Sequence, residues 1–141
     1  MQRPIDAALD ELADEFEFLG DWEERYRYVI ELGKDLAPLS EAEHSEANKV
    51  RGCASQVWLV TEPQADGTIV FRGDSDAHIV SGLIAILMRL YSSRPARDIV
   101  DFDAAAAMAR LGLSEALSSQ RSNGLKAMVA RIQRDAGALA G

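Results

Sequence analysis

Cys53 is the residue with the most evident chemistry. It stands in Arg51-Gly52-Cys53-Ala54-Ser55-Gln56 and is the one cysteine among 141 residues. A lone thiol forms no intramolecular disulfide, and it removes a cysteine-rich zinc site from consideration. Two histidines, His44 and His78, leave little for a histidine-based metal site. A cysteine hydrolase wants a histidine base and an orienting carboxylate or amide, and no spacing here ties either histidine to Cys53. A disulfide oxidoreductase wants a second, resolving thiol. Single-thiol chemistry remains: a peroxidatic cysteine resolved by a partner, or a carrier that takes up a group and passes it on. Glycine beside the cysteine permits an unusual backbone turn. The Arg51 guanidinium would favour the nucleophilic thiolate. Gly73-Asp74-Ser75-Asp76 resembles a fragment of a metal loop without the remaining ligands, and reads as a strand end followed by a helix cap. No phosphate-cradling glycine loop is present.

The elements that must position Cys53 are legible around it. Ile5, Ala8, Leu9, Leu12, Phe16 and Leu19 keep helical spacing, and Gly20 stops that helix. Asp21 caps a second helix with Glu24 three residues on, running to about Leu36 with Trp22, Tyr26, Val29, Ile30 and Gly33 on one face. The tight joint predicts an antiparallel helix pair. After Pro38 comes a polar loop over 37–49. Val57 to Thr61 are strand formers, Gln64-Ala65-Asp66-Gly67 is a turn, and Thr68 to Arg72 is the return strand. Val50 is expected to begin a third strand, with Arg51-Gly52-Cys53 at a turn or bulge. Ser75 or Asp76 caps a helix from about Ala77 to Tyr91 that is apolar nearly all round and so belongs in the core. Short helical pieces fill 96–118, with Ser114 a candidate cap. A last helix starts near Ser119, with Leu125, Met128, Val129, Ile132, Ala136 and Leu139 as its apolar stripe. The fold class is α+β, a small antiparallel three-stranded sheet covered by helices, as a single domain over 1–141.

The composition agrees. Apolar residues make up 48% of the chain, enough for a core without staples. The net charge of −8 argues against nucleic acid as a partner. Residues 1–50 hold 14 acidic and 5 basic side chains, so the negative excess lies there, either as a solvated face or as a surface that steers a basic partner. No apolar run is long enough for a bilayer, and no targeting signal is visible. A cytoplasmic location, where a thiol stays reduced, is expected.

Gly52-Cys53-Ala54-Ser55-Gln56-Val57-Trp58-Leu59 resembles the SufE/CsdE family of sulfur-acceptor proteins. Three further blocks agree in order: Gly73-Asp74-Ser75-Asp76-Ala77 leading into Ile79-Val80-Ser81-Gly82-Leu83, Asp98-Ile99-Val100-Asp101-Phe102, and Arg121-Ser122-Asn123-Gly124-Leu125 with Met128. The similarity spans about Trp22 to Ile132. It implies a protein that docks to a SufS/CsdA-like cysteine desulfurase, an enzyme that carries pyridoxal phosphate and leaves a persulfide on its own cysteine. Cys53 would take that sulfur, speed the desulfurase, and pass the sulfur to an iron–sulfur scaffold downstream, with no cofactor or metal of its own.

Further consequences follow from the same resemblance. The cysteine is expected on a loop tip next to an apolar cavity, so that loop 51–55 moves outward when the partner docks. Gly52 carries over as its flexible neighbour. Arg121 would support the loop or the thiolate, Asp76 would lie near the partner-facing side, and Gln56 and Trp58 would build the strand and pocket floor. Gln120 stands where the family often has serine, which puts local capping in question. Two other readings stay open: a non-covalent module that activates a desulfurase allosterically, with Cys53 dispensable, and a one-cysteine peroxidase.

Overall fold

The structure, a computed structural model, describes residues 2–140. Helix α1 (Pro4–Leu19) opens with proline at its first position and buries Ile5, Ala8, Leu12 and Phe16. Gly20, at φ +80°, ends it. Asp21 accepts a hydrogen bond from the Glu24 amide (2.9 Å) and starts α2 (Trp22–Lys34), two residues shorter than its sequence pattern suggested. The expected antiparallel pair is not the main packing of α2. Helices α1 and α2 meet near their junction, where Phe16 packs edge-on against Trp22 and Tyr28. Both instead lie on α3 (His78–Tyr91), α2 most extensively.

Glycines explain that preference. A Cβ on Gly82 would collide with the Val29 carbonyl oxygen, and one on Gly33 would sit 2.6 Å from the Gly82 nitrogen. The α2 and α3 backbones therefore touch directly. Ten residues of α3 are buried, confirming it as the central helix. Each buried Ile or Leu contributes roughly 1.5–3 kcal/mol of transfer free energy.

Strands β1 (Val57–Pro63) and β2 (Thr68–Ser75) form the expected antiparallel hairpin, with Val57 opposite Ser75 and Pro63 opposite Ile69. β2 runs three residues past Arg72. Gly73 does not break it but thins it, because a Cβ there would lie 2.7 Å from both Ile84 and Leu59 side chains. The sheet has three strands in the order β1-β2-β3, but its third strand is Arg94–Pro95 (β3), not a segment begun by Val50. Lys49 makes one isolated bridge to Trp58, while the Val50 amide bonds the Val57 carbonyl (2.8 Å) before the chain turns away. Arg94 reaches β2 because Ser93 adopts φ +64° and its amide bonds the Ile69 carbonyl (2.7 Å).

The expected caps on α3 are also corrected. Its N-cap is Ala77, without a side-chain cap bond. Ser75 Oγ accepts from the Ala77 amide (3.2 Å), and the Asp76 carboxylate is taken by the Gln56 amide instead (3.0 Å). Helices α4 (Ala96–Asp101), α5 (Ala104–Arg110) and α6 (Leu113–Ala116) fill the next segment. Asp103 caps α5 through the Ala106 amide, and Gly112 at φ +74°, not Ser114, precedes α6. Helix α7 (Ser119–Ala140) buries Leu125, Met128, Val129, Ile132 and Ala136, whereas Leu139 is exposed. Ser118 Oγ accepts from the Arg121 amide (3.3 Å), so Gln120 leaves the capping intact. No helix among the described residues is long and apolar enough to cross a membrane.

Candidate functional site

Four segments meet around Cys53: its own loop, the first half of α3, the residues before α7, and the first turns of α7. They enclose a cleft of about 310 Å³ lined by Cys53, Ala54, Ser55, Val80, Leu83, Ser118, Gln120, Arg121, Gly124 and Met128. Its apolar side comes from α3 and α7, because Val80, Leu83 and Met128 are core residues whose edges reach the cleft.

The loop takes its path from Gly52. At φ +91° this residue occupies backbone space that a side chain strongly disfavours, and a Cβ there would lie 3.4 Å from Ala127 Cβ on α7. The turn lays Cys53 across α7 at Gly124. The half-buried thiol donates to the Gly124 carbonyl oxygen (3.6 Å), which glycine exposes. A Cβ on Gly124 would stand 3.6 Å from Sγ, an ordinary contact. At its far end the loop is clamped by Asp76, whose carboxylate accepts the Gln56 amide (3.0 Å) while its own amide bonds the Gln56 carbonyl (3.4 Å).

The electrostatics differ from the sequence expectation. Arg51 does not assist the thiolate: its guanidinium is 82% exposed and meets Glu46 at 3.4 Å. Burial pushes the Cys53 thiol up from its ordinary value, with no cation offsetting it. Arg121 does line the Cys53 cleft, but its Nη1 donates to the Tyr26 hydroxyl on α2 (3.1 Å). Gln56 and Trp58 do not form the floor. Trp58 packs edge-on against His44, ring centroids 4.6 Å apart, and His44 Nε2 lies 2.9 Å from Asp74 Oδ2. His78 is exposed at the start of α3, and neither histidine lines the cleft. No group of three or more His, Cys, Asp or Glu among the described residues is placed to hold a metal ion.

Sequence reasoning missed Tyr26, Ser118 and Gly124 as neighbours of this site. Gly124 left a signal, a glycine inside an otherwise regular helical stripe. Tyr26 left none, since it looked like another member of the buried face of α2. The site keeps one thiol half-sheltered against a carbonyl, on a loop fastened at Asp76 and turned at Gly52. Such a thiol becomes a nucleophile once it leaves the cleft and loses its proton.

The family model described as SufE, Fe-S metabolism associated domain, matches residues 10–136. An uncharacterized SufE-like protein of Rhizobium etli is 54% identical over 138 residues, covering 96% of this chain and 93% of that protein. Another, of Rhizobium meliloti, is 50% identical over 132 residues, covering 92% and 94%. The solution structure of a hypothetical protein from Thermus thermophilus superposes with a TM-score of 0.75 over 99% of this chain and 98% of that one, at 17% identity, and shows the same fold. With a family match over nearly its whole length and relatives at half identity or better, the chain belongs to the SufE family, the domain associated with Fe–S metabolism.

Proposed function

We propose that Cys53 accepts persulfide sulfur from a cysteine desulfurase, stimulates that enzyme by draining it, and passes the sulfur to iron–sulfur cluster assembly. The observation that carries this reading is the placement of the sole cysteine: on a turn that Gly52 permits, at the mouth of a part-apolar cleft, with no second thiol and no histidine base beside it.

The step balances without an outside oxidant or reductant. The Cys53 thiolate attacks the outer sulfur of the donor's persulfide. A new bond to Cys53 Sγ forms, the donor's sulfur–sulfur bond breaks, and the donor cysteine leaves as thiolate and regains the proton that Cys53 gave up. Cys53 ends as the persulfide and the donor as the thiol. In this reading the pyridoxal phosphate belongs to the donor, and this chain is a carrier rather than an enzyme. A lone cysteine suits it, since a neighbouring thiol would attack the persulfide and release sulfide.

The test is intact-mass analysis after mixing the protein with a desulfurase and cysteine. One added sulfur on wild type and none on Cys53→Ser is expected, with desulfurase stimulation lost in the variant. Full stimulation by Cys53→Ser would overturn the carrier reading in favour of allosteric activation.

A further inference from the structure

A second groove, of about 530 Å³, lies between residues 46–51, which lead into the Cys53 loop, and the middle of α7. Lys49, Arg51, Arg131 and Arg134 line it, with Glu46 as the one carboxylate among the lining residues. That concentration of positive charge is unexpected in a chain of net charge −8. Two carboxylates, Glu46 and Asp135, offset part of it and leave the four cations in surplus. Asp135, outside the lining, is shared between Arg131 (3.3 Å), Arg134 (3.1 Å) and the Thr61 hydroxyl (2.7 Å). Lys49 forms no ion pair among the described residues, and Arg51 holds Glu46 only at 3.4 Å.

We infer that this groove docks an acidic segment of the protein that donates sulfur to Cys53. The inference rests on the carrier reading of Cys53. Arg51 lines the groove and stands two residues from the thiol, so a partner reaching for Cys53 also covers Arg51. The surplus of four lining cations over their carboxylates makes a partner's carboxylates the complementary chemistry.

The donor is favoured over a later acceptor because the donor meets the resting loop, whose thiol must be drawn off the Gly124 carbonyl. A partner carboxylate that takes Arg51 from Glu46 pulls on that loop directly before the Gly52 turn. Arg131 has a different task. Its guanidinium ties the Ala47 (2.7 Å) and Lys49 (3.2 Å) carbonyls to α7 and so shapes the groove wall.

The test reads local charge at Cys53 first, without any donor. Two short cysteine peptides, one flanked by glutamates and one by glutamines, are presented as mixed disulfides with thionitrobenzoate, and the coloured release is timed. Wild type should prefer the glutamate peptide, by about tenfold at low salt. The preference should vanish near about 1 M salt, where the Debye length is ~3 Å. Lys49→Glu/Arg134→Glu should abolish it, and the milder Lys49→Gln/Arg134→Gln should halve it on a logarithmic scale. Arg27→Glu, on the exposed side of α2, should leave it intact. A wild-type ratio of one, or a ratio untouched by both groove variants, overturns the inference.

Sulfur uptake from a desulfurase is then timed for wild type and the reversed variant. About tenfold slower uptake at low salt supports the assignment to the donor. Unchanged uptake with slowed onward transfer overturns it in favour of a later acceptor. Absence of any Cys53 persulfide in wild type fails the carrier reading itself, while the peptide ratio still reports whether the groove attracts acidic chains.

Discussion

Gly52→Ala tests whether the Cys53 loop opens as a unit. Residue 52 sits at φ +91°, and its would-be Cβ lies 3.4 Å from Ala127 Cβ. Left-handed backbone costs a residue with a side chain roughly 1–2 kcal/mol. That penalty falls on the closed loop. If an outward conformation frees residue 52 from positive φ, the substitution shifts the closed–open balance by the same amount, a factor of about 5–30. Two effects then act together on the thiol. Cys53 becomes reachable, and it loses the burial that raises its pKa, so more thiolate forms at a given pH. Alkylation of Cys53 by iodoacetamide, followed by mass spectrometry across a pH series, reads both. The expected result is at least a fivefold faster rate and a titration midpoint displaced downward, with the urea midpoint of the whole domain little changed. A variant that loses about 1–2 kcal/mol of global stability while its alkylation rate and midpoint stay at wild-type values would refute the reasoning. The loop would then be an integral part of the fold and not an independently opening tip.

Further outcomes follow from packing and charge. Gly82→Ala drives a methyl group against the Val29 carbonyl and should destabilise the domain by about 2–3 kcal/mol in chemical denaturation, because backbone cannot yield by changing rotamer. Tyr91 is fully buried, and its hydroxyl has no hydrogen-bond partner among the described residues. Tyr91→Phe should therefore be neutral or stabilising by up to about 1 kcal/mol, and a loss of that size would mean the hydroxyl is bonded. Glu43, held by the Arg72 guanidinium and the Ser40 amide, has its carboxyl lowered from 4.5 to about 2. Its contribution is complete above about 4.5 and disappears as pH falls toward about 2, so urea midpoints of Glu43→Gln should lie lower near neutrality and converge with wild type in acid.

Local features of the chain were legible without the structure. The α1, α2 and α7 stripes, the apolar circumference of α3 and the β1–β2 hairpin all follow from side-chain periodicity and turn chemistry within one segment. So did the isolation of Cys53 and the motif around it, which led to the family. What stayed hidden depends on distant segments meeting. Third-strand pairing fell to Arg94–Pro95, too short to show any period. α2 packed mainly on α3 because Gly33 and Gly82 coincide in space, although each alone reads as an ordinary small residue in a helix. Arg51 looked like the cation that would ionise Cys53. The turn at Gly52 sends its guanidinium toward Glu46 and the thiol toward Gly124, so burial dominates and the thiol rises. The sequence by itself determined which residue could carry thiol chemistry, since only one cysteine is present. Tertiary structure decided that thiol's resting state and assembled the basic groove beside it, because solvent exclusion and electrostatic potential are set by every chain segment within a Debye length, not by neighbours in sequence.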